Sequence, residues 1–190
     1  TGADHLDTAV TAIALQAAGG GIFLTDNDAV TIGQVSAISY HRVTTAGTTS
    51  VLQDAALSGA TTLSGNGSVV LATLNGTLTV SQTVSANGSG NVLLAAAGAT
   101  ADVLVSALAT SSTGNITVIA ERDVTQTAVG DLTVNGGTID VEALNGSVNM
   151  FDGAVAQSAG GAIRYRAKLD VAIGGLNAGS GQGAIEADRS

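Results

Sequence analysis

Asp140, Glu142, Arg164, Arg166 and Lys168 form the densest group of side chains with chemical potential in this 190-residue chain. Two carboxylates beside cations could form a polysaccharide-processing groove, one carboxyl acting as acid and the other as base or nucleophile. The same three cations could hold an anion. Such enzymes also need aromatic platforms for sugar rings, and Phe23, Tyr40, Phe151 and Tyr165 are the only aromatic residues here. Thr25-Asp26-Asn27-Asp28 resembles the start of a calcium loop, because closely spaced carboxylate and amide oxygens suit a hard cation. It lacks the central glycine and the distal bidentate glutamate of an EF-hand, so a polar turn is the preferred reading. His5 and His41 have no second ligand nearby in sequence and read as surface or turn histidines. Cysteine is absent, which removes thiolate metal sites, redox chemistry and disulfides. Serines are numerous but none sits in a nucleophile elbow, and a triad has no convincing base. No catalytic, cofactor-binding or metal-binding residue is therefore assigned, and the chain is not expected to be an enzyme.

The segments that must position these residues are repeats. Gly67, Gly90, Gly114, Gly137, Gly161 and Gly183 recur at intervals of 23, 24, 23, 24 and 22 residues, each opening a short alternating apolar segment. A fixed period in this range marks stacked units that bury their apolar faces against one another. One column reads Val69, Val92, Ile116, Ile139, Ile163, Ile185. Two residues on, the next reads Leu71, Leu94, Val118, Val141, Tyr165, Ala187. Alternation places both columns on one strand face, stacked into ladders inside a coil. Ile22 and Leu24 fit the same columns two periods upstream, with an irregular rung between them near Val43 to Leu52. The outward positions run Asp140, Arg164, Glu186 and Glu142, Arg166, Asp188. Read in register, this acid, base, acid order is cross-rung charge compensation, preferred over an anion-binding stripe. Farther upstream the outward column is apolar, at Phe23, Val70 and Leu93, and such patches mark contact surfaces. Another part of the chain or a partner is expected to cover it.

Asn66-Gly67, Asn75-Gly76, Asn87-Gly88, Asn135-Gly136 and Asn145-Gly146 supply corner residues that tolerate positive φ. Asn-Gly also signals hairpins, but an antiparallel meander would not explain charges that alternate between units and not within them. Parallel coiling explains that order. Leu6 to Ala18 is compatible with a helix or with another strand, and the strand is preferred. The fold expected is thus all-β, a right-handed parallel β-helix of about eight turns and roughly 23 residues per rung. Residues 1–190 are read as one solenoid segment, a block of a longer array, since no polar cap closes the last rung.

Composition narrows partners. The chain has 26 Gly, no Pro, no Trp and a net charge of −9. So few cations disfavour nucleic acid and anionic membrane surfaces. No apolar run approaches the roughly 18 residues of a membrane span. Thr1 to Asp4 lacks the basic and apolar regions of a signal peptide, so any export signal is expected outside this sequence.

Gly114-Asn115-Ile116-Thr117-Val118-Ile119-Ala120, Gly90-Asn91-Val92-Leu93-Leu94-Ala95-Ala96 and Gly137-Thr138-Ile139-Asp140-Val141-Glu142-Ala143 share a Gly-Asn-(Ile/Val)-x-(Val/Leu)-x-Ala pattern. Asp123-Val124-Thr125-Gln126, and Leu6 to Val10 followed by Gly20 to Leu24, extend it. In these residues the chain resembles the β-helical repeat regions of giant bacterial exoproteins and adhesins, similar to filamentous haemagglutinin. The resemblance covers nearly the whole chain and is weakest at residues 38 to 62. It implies a stalk or cell-contact module, secreted or on the bacterial surface. The implied partners are flanking repeats of the same chain and a cell-surface protein or glycan. A carbohydrate-binding or polysaccharide-processing β-helix is the alternative, although the long insertions that build such clefts are not expected here. An ice-binding solenoid is a lesser one, because Thr77-Leu78-Thr79 does not recur in every rung.

Overall fold

A computed structural model describes residues 6–188, and among these residues it is a parallel β-solenoid with no helix. A regular rung holds three strands, for example Val92–Ala96, Val103–Val105 and Ala109–Ser111. Stacked rungs make three parallel sheets, the first of eight strands and the others of seven. The segment from Leu6 onward is strand, as Leu6–Thr8, Ala12–Ile13 and Leu15–Ala17, one in each sheet.

Alternation drives this arrangement. In each long strand of the first sheet from Ile22–Asp26 to Ile163–Ala167 the first, third and fifth side chains are buried, and the second and fourth face outward half-buried. Leu24, Leu71, Leu94, Val118, Val141 and Tyr165 form one continuous inward ladder. The inward column of the third sheet, Ala60, Val84, Ala109, Leu132 and Ala156, is fully buried and three of its five residues are alanine. A thin core of this kind needs few aromatic residues.

The glycines do more than turn the chain. A Cβ on Gly67 would lie 2.0 Å from the carbonyl oxygen of Gly20, and one on Gly90 2.1 Å from that of Gly67. The series continues through Gly114 on Gly90 at 2.1 Å, Gly137 on Gly114 at 1.8 Å, Gly161 on Gly137 at 1.8 Å and Gly181 on Gly161 at 2.1 Å. None of these residues has positive φ, so the requirement is close backbone approach and not an unusual conformation. Positive φ occurs at Asn66, Gly88 and Gly136, whereas Gly76 and Gly146 are again close-approach sites. The Asn-Gly pairs thus serve two different purposes.

Two sequence expectations need correction. The last strand pairs Ile163 with Gly183 and Tyr165 with Ile185, so the glycine stacked on Gly161 is Gly181, not Gly183. Rung lengths from Val69 are therefore 23, 24, 23, 24 and 20, as the pairings Val69 to Val92, Ile116, Ile139, Ile163 and Gly183 show. The shortening is shared by two corners: by the paired positions, one residue is lost between the first and second strands (Ile139 to Val148 against Ile163 to Val171) and three between the second and third (Val148 to Val155 against Val171 to Gly175). Second, no rung lies between Ile22–Asp26 and Val69–Thr73, which pair directly with Ile22 opposite Val69. The intervening excess is a long antiparallel hairpin in the corner after Val30–Ile32, built from Gln34–Val35 with Leu57–Ser58 and from Ile38–Val43 with Thr49–Asp54.

Gly114→Ala should lower stability by about 2 kcal/mol or more, because its new methyl would lie 2.1 Å from the Gly90 carbonyl oxygen, with Ser111 Oγ also at 2.8 Å. Gly183→Ala should stay within about 0.5 kcal/mol, since nothing lies within 4 Å of that Cβ. Gly181→Ala should strip hydrogen-exchange protection from the Ile163 amide, which donates to Gln182 O at 2.8 Å. Urea melts and amide exchange check all three.

Candidate functional site

The first sheet's outer face gathers the charged candidates. Its two columns read Phe23, Val70, Leu93, Thr117, Asp140, Arg164, Ala184 and Thr25, Ala72, Ala95, Ile119, Glu142, Arg166, Glu186. The face thus passes from apolar to charged along the coil. Arg164 donates from Nε to Asp140 Oδ1 at 2.7 Å and from Nη2 to Glu142 Oε2 at 2.8 Å. Arg166 donates to Asp188 Oδ2 from Nε at 3.0 Å, to Glu142 Oε1 from Nη1 at 3.4 Å, and lies 3.8 Å from Glu186. Glu142 therefore bridges both guanidiniums. The carboxylate hydrogen bonds hold both arginines above their ordinary pKa, Asp140 contributing most at Arg164 and Asp188 most at Arg166. Charge compensation is what the geometry shows, although the two-residue shift sets Glu186 beside Arg166 and leaves Arg164 opposite Ala184. An anion approaching this face meets cations already paired. With the arginine side chains 37% and 39% exposed, solvent screens these pairs and they act chiefly on register.

Polar side chains at the corners also act from rung to rung. The Asn91 amide donates to Ser68 Oγ at 3.1 Å, Asn115 N to Asn91 Oδ1 at 2.8 Å, and Thr138 N to Asn115 Oδ1 at 2.9 Å. A second column precedes the second sheet: Asp123 N donates to Asp102 Oδ1 at 3.0 Å, Ser147 N to Asp123 Oδ1 at 2.7 Å, and Asp170 N to Ser147 Oγ at 3.3 Å. Arg122 Nε donates to Asp102 Oδ1 at 2.7 Å, and this bond above all holds the Asp102 carboxyl below its usual range. Inside the coil, the Tyr165 hydroxyl donates to Gln126 Oε1 at 2.5 Å, and Gln126 Nε2 to Gly130 O at 2.8 Å. Burial pushes the Tyr165 phenol far up, outweighing the opposing Gln126 bond.

The remaining candidates are dispersed. Asp26 is buried at the inward end of its strand, where Thr8 Oγ1 and the Asp28 amide donate to its carboxylate; it is not an exposed turn residue. Among the described residues no group of three His, Cys, Asp or Glu side chains is placed to hold a metal ion. Thr77 lies in a corner, Leu78 faces the core and Thr79 faces outward, stacked between Thr31 and Leu104. The third sheet presents a column that the sequence reading missed, Thr61, Ser85, Thr110 and Thr133. His5 lies outside the described residues, while His41 is exposed on the hairpin.

That hairpin corrects the expectation that insertions are missing. It leaves the coil at Gly33 and returns at Gly59, whose amide donates to Gly33 O at 2.8 Å. Tyr40 and Leu52 face each other, and the Arg42 guanidinium lies 6.0 Å from the Tyr40 ring centre. Ile38, Val43 and Val51 are more than half exposed. Its sequence signal was the break in the glycine period.

No protein-family model, no curated protein and no solved structure matches this chain.

Tyr165→Phe leaves the Gln126 carbonyl buried without its donor and should cost about 1–3 kcal/mol in a denaturant melt. Because the folded state lowers the Asp102 pKa, the resulting stability is complete above the ordinary carboxylate range and is lost as pH falls through the lowered value. Asp102→Asn should therefore reduce stability at neutral pH and flatten the acid limb of melting temperature against pH.

Proposed function

We infer that this chain is a structural, adhesive segment of a large bacterial surface or secreted repeat protein, serving as a stalk or cell-contact module and not as an enzyme. The observation that carries this reading is where polar side chains are spent. The asparagine column, the aspartate column and the Arg164 and Arg166 ion pairs all run from one rung to another, along the direction in which a stalk bears load. The Gly-Asn-(Ile/Val)-x-(Val/Leu) pattern behind the likeness to filamentous-haemagglutinin repeats acquires a physical meaning. Its glycine allows close stacking, its asparagine binds the next rung, and its apolar residues fill the ladder. Partners on this reading are neighbouring solenoid repeats and a surface protein or glycan outside the cell. The net charge of −9 speaks against nucleic acid. No helix among the described residues is long and apolar enough to cross a membrane.

The alternative, a carbohydrate-binding or polysaccharide-processing β-helix, draws on the shallow concavity lined by Glu142, Arg166, Lys168 and Asp188. Single-molecule pulling between the chain's two ends, run beside a product assay on neutral and acidic polysaccharides, separates the two. A stalk should unravel in successive steps of about one rung and release no sugar ends. Collapse in one step at low force, or steady release of sugar ends, would overturn the proposal.

A further inference from the structure

The hairpin contributes nothing to the solenoid core, yet it exposes Ile38, Val43 and Val51 and stands as only two strands. Isolated two-stranded ribbons are marginal in water and gain stability from a third and fourth strand. Thr44 N donates to Thr48 O at 2.8 Å across the hairpin end. Antiparallel alternation then turns the backbone groups of Arg42 and Ser50, Tyr40 and Leu52, and Ile38 and Asp54 toward each other. It leaves Thr49, Val51 and Gln53 on one open edge and Ser39, His41 and Val43 on the other. Neither strand carries proline or lysine, and six consecutive pairs without a bulge leave the ribbon unguarded against another strand.

We propose that this arm joins two copies of the chain: Thr49–Asp54 pairs antiparallel with the same strand of a second copy, closing a four-stranded sheet about a two-fold axis. Charge selects this edge. Pairing Ile38–Val43 with itself around His41 would set the two Arg42 side chains diagonally adjacent on one face, whereas about Leu52 the two Asp54 side chains lie at opposite ends of the pairing and Thr49 to Gln53 between them carries no charge. Charge also selects the register. With Leu52 on the axis, the outward groups of Val51 meet those of the second copy's Gln53, and Ser50 lies opposite the second copy's Asp54. Arg42, directly opposite Ser50 within its own hairpin, is then two strand spacings, about 9.6 Å between Cα atoms, from that Asp54 on the same face. Symmetry supplies this attraction twice. Between the two pairs, Tyr40, Leu52 and their two symmetry mates make one apolar row. This assembly is independent of the stalk reading, because no residue of the coil takes part.

Sedimentation equilibrium of the full chain tests it. A reversible monomer–dimer equilibrium is expected at concentrations below about 1 mM. Val51→Pro removes an outward N–H without touching a bond inside the hairpin, and should weaken association at least tenfold with an unchanged melting temperature. Arg42→Glu or Asp54→Arg alone should also weaken it, and the two together should restore it. A chain that stays monomeric throughout, or a dimer indifferent to Val51→Pro and to the charge swap, would overturn the proposal.

Discussion

The structure depends on one contact: a glycine of each rung pressed so close to the carbonyl of the glycine below that no Cβ fits between them. From Gly67 to Gly181 the distance such a carbon would have to that oxygen is never more than 2.1 Å. Ladder spacing in a parallel sheet is about 4.8 Å, so a corner tolerating no side chain holds each turn directly over the last. The first strand of each rung follows at constant offset from that point. The residue after the glycine carries the cross-rung acceptor at Ser68, Asn91 and Asn115, and the residue after that begins the inward ladder.

A constraint so repetitive is legible in sequence, and the regular rungs show it. Val69, Val92, Ile116, Ile139 and Ile163 stack as their spacing requires, and Arg164 and Arg166 lie among the carboxylates that the alternating charges implied. The last rung was misread for a physical reason. Gly181-Gln182-Gly183 offers two glycines two residues apart, and a slip of two preserves which side chains face inward, so alternation cannot choose between them. Hydrophobicity favoured Ile185 beneath Ile163. Backbone contact and two shortened corners instead set Gly183 there, and Ile185 is 54% exposed on the final rung.

The inserted hairpin was hidden differently. Its excess length is close to one rung, so the period appeared merely blurred, and its alternating strands look like solenoid strands when direction is unknown. Antiparallel pairing is a non-local property that a column of residues does not encode. The Tyr165 to Gln126 bond was likewise illegible, since it links residues 39 apart across the interior. The charged face could be read as a site from residue types alone. Its distances instead make it part of the same rung-to-rung bracing as the corner columns.

The chain contains no cysteine, so engineered disulfides can report rung register without background. The most direct test of the glycine contact as the determinant of register is oxidation of two paired variants. Arg164→Cys with Ala184→Cys places thiols directly opposite if Gly181 stacks on Gly161, and this pair should close rapidly in the folded protein, while Arg164→Cys with Glu186→Cys should stay reduced. Closure of the second pair in preference to the first would show that side-chain hydrophobicity, not glycine contact, sets the register.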